Sequence, residues 1–230
     1  MLKKAFNYFL SIIKRFFRFF GIEISFIHKD TTNLTPIERN SKESANSAYS
    51  SKDYQKIILS KEHQLFFKQI SDLLSTKKIP IDGKTIADFG CGIGNLIYYI
   101  NKTYKPLKSY GYDFSDKVIE LAKKRLPDTS FIEHDIYKDP NIKFDIIFCT
   151  ETLEHLLYPD KVLQNFTSIL LDKGYIFITV PDGRKDTFIG HINFWSVESW
   201  EVFIKNNCPS NYSVETGYLN KNILYSIIKK

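Results

Sequence analysis

Apolar positions change their spacing several times along the chain, and each change marks an element. In residues 1–21, MLKKAFNYFLSIIKRFFRFFG, the side chains of Lys3, Lys4, Asn7, Ser11, Lys14, Arg15 and Arg18 fall within about 120° of a helical wheel, and apolar ones fill the rest. Gly21 supplies a stop for that helix. Residues 30–52 lose the apolar period and are rich in Ser, Thr and Asn, which predicts a polar linker or flap over 22–52. Helical spacing returns at 53–75, where Ile57, Ile58, Leu65, Phe66, Ile70, Leu73 and Leu74 fit one helix or two short ones. Beyond it, short apolar runs alternate with amphipathic ones. TIADFG, KSYGYDF, TSFIEHD, KFDIIFCT and YIFITV read as strands. Residues 94–103, SDKVIELAKKRL, YPDKVLQNFTSILL and SVESWEVFIKN read as helices, with Ser115 as an N-cap and Lys173-Gly174 as a stop. The closing YSVETGYLNKNILYSIIKK predicts a hairpin that turns near residues 220–222. This alternation predicts an α/β domain over 53–230: a mostly parallel sheet, helices on both faces, and a last strand antiparallel to its neighbour. Its ligand belongs beyond the carboxyl ends of the central strands.

Composition narrows the picture at two places. Cys91, Cys149 and Cys208 lie far apart with no CxxC pair, which predicts reduced thiols in a cytoplasmic protein and excludes a zinc ribbon. The net charge of +6 is uneven: residues 1–30 carry Lys3, Lys4, Lys14, Arg15, Arg18 and Lys29 against Glu23 and Asp30. A spanning helix there would set Lys14, Arg15 and Arg18 in or near the apolar layer, at up to ~2.5–3.5 kcal/mol each near its centre. A signal peptide lacks its small-residue cleavage site. The wide Phe-rich arc beside a narrow cationic stripe predicts a helix lying on an anionic membrane surface, peripheral on the inner face of the cytoplasmic membrane. The alternative is a helix docked on the domain's own core or on a partner subunit. The rest of the chain has no basic groove with interleaved aromatics, which counts against a nucleic-acid partner.

The candidate chemistry centres on IADFGCGIGN, residues 86–95. A dinucleotide turn reads GxGxxG, whereas Gly90, Gly92 and Gly94 give GxGxG, with Asn95 at the place of the third dehydrogenase glycine. Asp88, just before the turn, would meet a pyrophosphate with negative charge. It suits a ligand with a cationic amine, and S-adenosylmethionine is such a ligand. Here the chain resembles the class I S-adenosylmethionine-dependent methyltransferases over about residues 54–230, with further motifs in the expected order. Asp113 ends the second strand 23 residues after Gly90, where a carboxylate accepts both ribose hydroxyls. The resemblance implies that Asp135 takes the adenine amino group, with the Ile136 amide on the ring. It implies cofactor contacts from Asp88, Phe89, Gly90, Cys91, Gly92, Gly94, Asp113, Phe114, Asp135, Ile136 and Thr150. Unpaired buried acids at successive strand ends are too costly to serve as sheet stabilisers.

Methyl transfer to a hydroxyl needs alignment and a place for the proton. Glu151, Glu154 and His155 in ETLEHL, and His191 in GHINFWS, are the candidates, with Glu151, His155 and His191 as the catalytic set. Glu151 and His155 share a face if a helical turn follows Thr150. The EH dipeptide and the HINFWSVESW segment resemble the ubiquinone-pathway and small-molecule or surface-glycan O-methyltransferases. The spacing also resembles the divalent-metal site of small-RNA 2′-O-methyltransferases, which implies Glu151, Glu154, His155 and His191 as ligands. A His acting as base or substrate anchor, a metal site, and a purely structural loop all stay open at this point. The expected partner is a small-molecule, glycan or lipid-linked acceptor at the membrane. A quinone-type acceptor, an RNA, and a binding protein without catalysis are the alternatives.

Overall fold

Hydroxyl side chains start the first four described helices, and they explain why a stretch without apolar period is ordered. The computed structural model describes residues 34–230; the helix expected over 1–21 lies outside them. Thr35 caps α1 (Pro36–Arg39) in a reciprocal capping box with Glu38. Ser41 caps α2 (Lys42–Ser50), Ser51 caps α3 (Lys52–Ile58) and Ser60 caps α4 (Lys61–Thr76). The segment expected as a polar linker or flap is therefore helical from Pro36 onward. Its Asn46 bonds Asp116 and Ser115, so its polar residues serve as contacts with the domain. The helical pattern over 53–75 is two helices, broken at Leu59 and Ser60.

The sheet begins with β1 (Thr85–Phe89), followed by α5 (Asn95–Thr103), β2 (Lys108–Asp113), α6 (Asp116–Arg125) and β3 (Ser130–Glu133). Next come β4 (Phe144–Thr150), α7 (Pro159–Ile169), β5 (Leu170–Pro181), α8 (Val197–Asn207), β6 (Ser213–Asn220) and β7 (Ile223–Lys229). Among the described residues the strand order is β3-β2-β1-β4-β5-β7-β6. β1 pairs in parallel with β2 and β4, while β7 is antiparallel to both β5 and β6. This is the expected α/β architecture with its closing hairpin. Alternate side chains of β1 and β4 feed two cores. Ala87, Phe89, Ile147 and Cys149 face one layer with Phe166 and Trp200; Ile86, Ile146 and Phe148 face the other with Ile70 and Leu74. Trp200 is fully buried, and truncating such a side chain costs about 3–5 kcal/mol.

Two boundaries differ from expectation. β3 stops at Glu133, and Asp135 lies in the turn beyond it because its Oδ1 accepts the Tyr137 amide (3.1 Å). α7 stops at Ile169, before Lys173-Gly174. Leu170 turns extended to pair with Phe144, and Lys173 at φ 63° then makes a bend inside β5. Gly174 belongs to that bend: a Cβ there would lie 2.7 Å from the Asp145 carbonyl. Asp145 itself is held by Lys84 and the Thr85 amide at the amino end of the sheet. No helix among the described residues is long and apolar enough to cross a membrane. The cysteines are free thiols.

Candidate active site

The glycine turn sits between β1 and α5. Gly90, Gly92 and Gly94 have φ of 76°, 51° and 77°, the left-handed region. The Gly90 and Cys91 amides both donate to the Tyr112 carbonyl (2.8 and 3.0 Å), tying the turn to β2. The three glycines meet different surroundings. A Cβ on Gly90 would lie 2.3 Å from Thr152 Oγ1, and one on Gly94 would lie 2.6 Å from the Phe131 ring. At Gly92 only the Tyr49 hydroxyl, 3.1 Å away, is near. Gly90 and Gly94 thus allow close packing, and Gly92 keeps the turn's other face clear beneath α2.

Two strand-end acids flank this turn. Asp88 is 2% exposed, and its Oδ1 is buried without a hydrogen-bond partner. Burial, then the charge of Asp113, pushes its carboxyl well above the ordinary carboxylate range. An orphaned buried oxygen of this kind calls for a donor or cation from a ligand. Asp113 accepts the Gly92 amide (3.1 Å) on Oδ2 and the Ser115 amide (3.0 Å) on Oδ1. Burial raises its pKa, and backbone bonds from Ser115, Gly92 and Phe114 oppose the rise. Ser115 caps α6 as expected, accepting from the Val118 amide (3.1 Å). The rings of Tyr49 and Tyr54 meet edge-on at 5.0 Å, and both hydroxyls feel the charge of Asp113.

The structure groups Asp88, the glycine turn and Asp113, and the other expected contacts have these surroundings. The Phe89 side chain is buried in the core, stacked on Tyr112 at 4.7 Å, so only its backbone faces the turn. Cys91 is buried, and its thiol donates to the Gly92 carbonyl (3.4 Å). Phe114 is exposed, and so is Asp135, whose other oxygen lies 3.8 Å from Lys138 Nζ. Ile136 packs against the core, and its carbonyl accepts from Asn165 (3.1 Å). Thr150 ends β4, and its carbonyl accepts from Thr152 Oγ1 (3.0 Å).

The second cluster lies beyond β4 and β5. Glu151 has φ 50°, its amide donates to the Thr179 carbonyl (3.0 Å), and its Oε1 accepts from Thr179 Oγ1 (3.0 Å). Burial pushes its pKa up to about 7. The helical turn begins later than expected, at Leu153–His155. The shared face of Glu151 and His155 therefore does not form, and Glu154 joins the histidines instead. One ligand atom from each of Glu154, His155 and His191 lies within 4.8 Å of the others. Glu154 Oε1 is 3.9 Å from both His155 Nε2 and His191 Nε2, and its buried Oε2 has no partner. Burial and then the neighbouring Glu151 hold the Glu154 pKa well above the ordinary range. Burial and the nearby His191 push His155 down to about 4, so it is neutral at pH 7. A carboxyl and two imidazoles make a donor set that also suits a divalent ion.

Each imidazole is held from its far side. His191 Nδ1 bonds the carboxylate of Asp186. His155 Nδ1 lies 3.0 Å from Asn40 Oδ1 and 3.3 Å from the Gly190 carbonyl. Sequence reasoning missed Asn40, Tyr49, Thr179 and Asp186. Asp186, five residues before His191, carried a local signal; Asn40 and Tyr49 sit where the apolar pattern is silent.

The fold is that of the class I S-adenosylmethionine-dependent methyltransferases. The chain aligns with the plantazolicin methyltransferase BamL, solved with S-adenosylhomocysteine, at TM-score 0.65 and 17% identity, over 85% of this chain and 97% of that one. It aligns with the N-methyltransferase NodS of Bradyrhizobium japonicum WM9 at TM-score 0.64 and 16% identity, over 83% and 98%. The methyltransferase-domain family model matches residues 58–207, and the chain belongs to that family. Among curated relatives, the trans-aconitate 2-methyltransferase of Escherichia coli (strain 55989 / EAEC) is 30% identical over 107 residues. That match spans 46% of this chain and 42% of the relative.

Proposed function

We propose that this chain transfers a methyl group from S-adenosylmethionine to a hydroxyl of a glycan or lipid-linked acceptor at a membrane surface. The observation that carries the reading is that two unsatisfied buried acids lie at the carboxyl ends of the adjacent central strands β1 and β4: Asp88 beneath the glycine turn and Glu154 beside the two histidines. S-adenosylmethionine, when bound, supplies an electrophilic methyl on a sulfonium. Asp88 offers its orphaned oxygen to a cationic or hydrogen-bonding part of that ligand, and Asp113 keeps further lone pairs for paired hydroxyls. Thr152, which lies against Gly90, is three residues before His155 and so links the glycine turn to the histidine cluster. Neutral His155 accepts the acceptor's proton on Nε2, and Asp186 steadies His191 beside it.

A lipid-linked acceptor is supported by the rim of this site. Leu157, Tyr158, Phe188, Ile189 and Phe194 are all more than a third exposed, on the same loops as the histidines. The amphipathic pattern of residues 1–21 supports the membrane surface. A relative named for trans-aconitate supports small-molecule acceptors in general and makes a soluble one the first competitor. A second reading is favoured by the convergence of Glu154, His155 and His191. In it these residues hold a divalent ion, which would lower the acceptor's pKa.

The test is methyl transfer from labelled S-adenosylmethionine to a lipid-linked saccharide, with and without chelator. Chelator-resistant transfer that His155→Ala abolishes supports the base. Loss with chelator and rescue by magnesium or manganese supports the ion. Labelling of soluble small acids alone, with none of the saccharide, contradicts the proposed acceptor.

A further inference from the structure

We propose that Asn40 is a positioning residue for methyl transfer, which fixes the tautomer of His155 and clamps the cap loop against it. The inference rests on the reading of His155 as a group that uses its Nε2 lone pair, as base or as ligand. Asn40 follows α1 in the polar segment and lies outside the matched family region.

Its amide makes three contacts at one spot. Nδ2 donates to the carbonyls of His155 (3.1 Å) and Gly190 (2.9 Å). Carbonyls only accept, so the NH₂ end must be the one that faces them. A flipped amide would set Oδ1 against two acceptors. Oδ1 is therefore the atom that meets His155 Nδ1 at 3.0 Å, with the Gly190 carbonyl 3.3 Å from the same nitrogen. A ring nitrogen facing two acceptors carries the proton. The Nε2 lone pair is then free, and it points toward Glu154 Oε1, 3.9 Å away. The choice of basic nitrogen is thus made from outside the motif that contains the histidine.

The same amide joins the loop after β4 to the loop after β5. Gly190 is the only other acceptor at His155 Nδ1 among the contacts described, and Asn40 holds Gly190 in place. Loss of the amide therefore removes one acceptor and loosens the second. When Nε2 takes a proton, both ring nitrogens become donors, and Asn40 Oδ1 stays on Nδ1–H to stabilise the imidazolium. The proton would leave the acceptor oxygen as the oxygen–methyl bond forms and the methyl–sulfur bond breaks, that electron pair staying on the sulfur of S-adenosylhomocysteine.

The experiment is nitrogen-15 NMR of the histidine rings in the full chain saturated with S-adenosylhomocysteine, which needs no acceptor. In the unsubstituted protein His155 should be the Nδ1–H form. In Asn40→Ala the Nε2–H form should rise about tenfold relative to Nδ1–H, the effect of one lost hydrogen bond. Asn40→Asp keeps an oxygen at Nδ1 and should hold the proton on Nδ1, although its second oxygen cannot donate and so releases the carbonyls of His155 and Gly190. Calorimetric affinity for S-adenosylhomocysteine should be unchanged in both, which excludes general unfolding. His155 remaining wholly Nδ1–H in Asn40→Ala overturns the proposal, and so does an Nε2–H form in the unsubstituted protein. If Asn40→Ala loses S-adenosylhomocysteine binding, Asn40→Asp alone decides: loss of the Nδ1–H form there overturns it. Absence of S-adenosylhomocysteine binding by the unsubstituted protein strikes the methyl-transfer reading instead.

Discussion

The two ends of the site are built in different ways. The proposed cofactor end comes from contiguous chain: Asp88, three left-handed glycines and Asp113 all fall within residues 88–113, on adjacent parallel strands. The proposed acceptor end is assembled from Asn40, from Glu154 and His155, and from Asp186 and His191, which meet only through the fold. Local backbone geometry demands particular residue types, so the first end is robust to what surrounds it. The second depends on loops holding one another. It is the end where acceptor specificity can vary without disturbing the sheet.

If that contrast is right, substitutions at the two ends separate binding from turnover. The largest effect belongs to the acceptor end. His155→Ala should lower transfer to a lipid-linked saccharide by about 10²–10⁴-fold while S-adenosylhomocysteine affinity holds. Equal loss of both would erase the division. Next is Gly90→Ala. A left-handed residue with a side chain costs about 1–2 kcal/mol, and the added methyl would sit 2.3 Å from Thr152 Oγ1. Displacing Thr152 adds about 1–3 kcal/mol of strain, so the calorimetric affinity should drop at least tenfold. Asp113→Ala should weaken S-adenosylhomocysteine by about 1.5–3 kcal/mol through the lost charged acceptor. Unchanged affinity there would remove Asp113 from the cofactor end.

The smallest effect is on stability and concerns His155 alone. Its folded pKa, about 4, lies below the ordinary 6.5. Between those values the unfolded chain binds the extra proton, so stability is full above pH 6.5 and falls as pH drops toward 4. At about 1.36 kcal/mol per unit, the fall from pH 7 to 5 is about 1–2 kcal/mol. Denaturant melts with chelator present should show the unsubstituted protein losing about 1–2 kcal/mol relative to His155→Gln between pH 7 and 5. Glu151 works the other way: burial raises its folded pKa to about 7, so its contribution is present at low pH and lost as pH rises toward 7. An unaltered acid limb in His155→Gln would mean that the imidazole is not buried in the neutral form.

This contrast also decides what was legible in the sequence. The glycine turn and strand-end acids announce themselves because φ above zero and a buried strand terminus restrict residue choice. β4 follows from the apolar run Ile146–Cys149, and the closing hairpin from two strand-like runs on either side of the turn at residues 220–222. Periodicity carries β3 on to Asp135, but Asp135 turns to accept the Tyr137 amide and β3 ends at Glu133, a bond that periodicity cannot show. Helical spacing groups Glu151 with His155, but the left-handed φ of Glu151 and its bond to Thr179 delay the turn. Asn40 had no pattern to reveal it. Its contacts with His155 and Gly190 arise because the segment between α1 and α2, capped by Thr35 and Ser41, packs against those loops.

The central claim is that the glycine turn receives an S-adenosyl ligand and not a dinucleotide. Calorimetric titration of the full chain with S-adenosylhomocysteine and, separately, with NAD tests it most directly. The account predicts binding of S-adenosylhomocysteine at one site per chain, with no heat from NAD. NAD binding, or silence from S-adenosylhomocysteine, contradicts it.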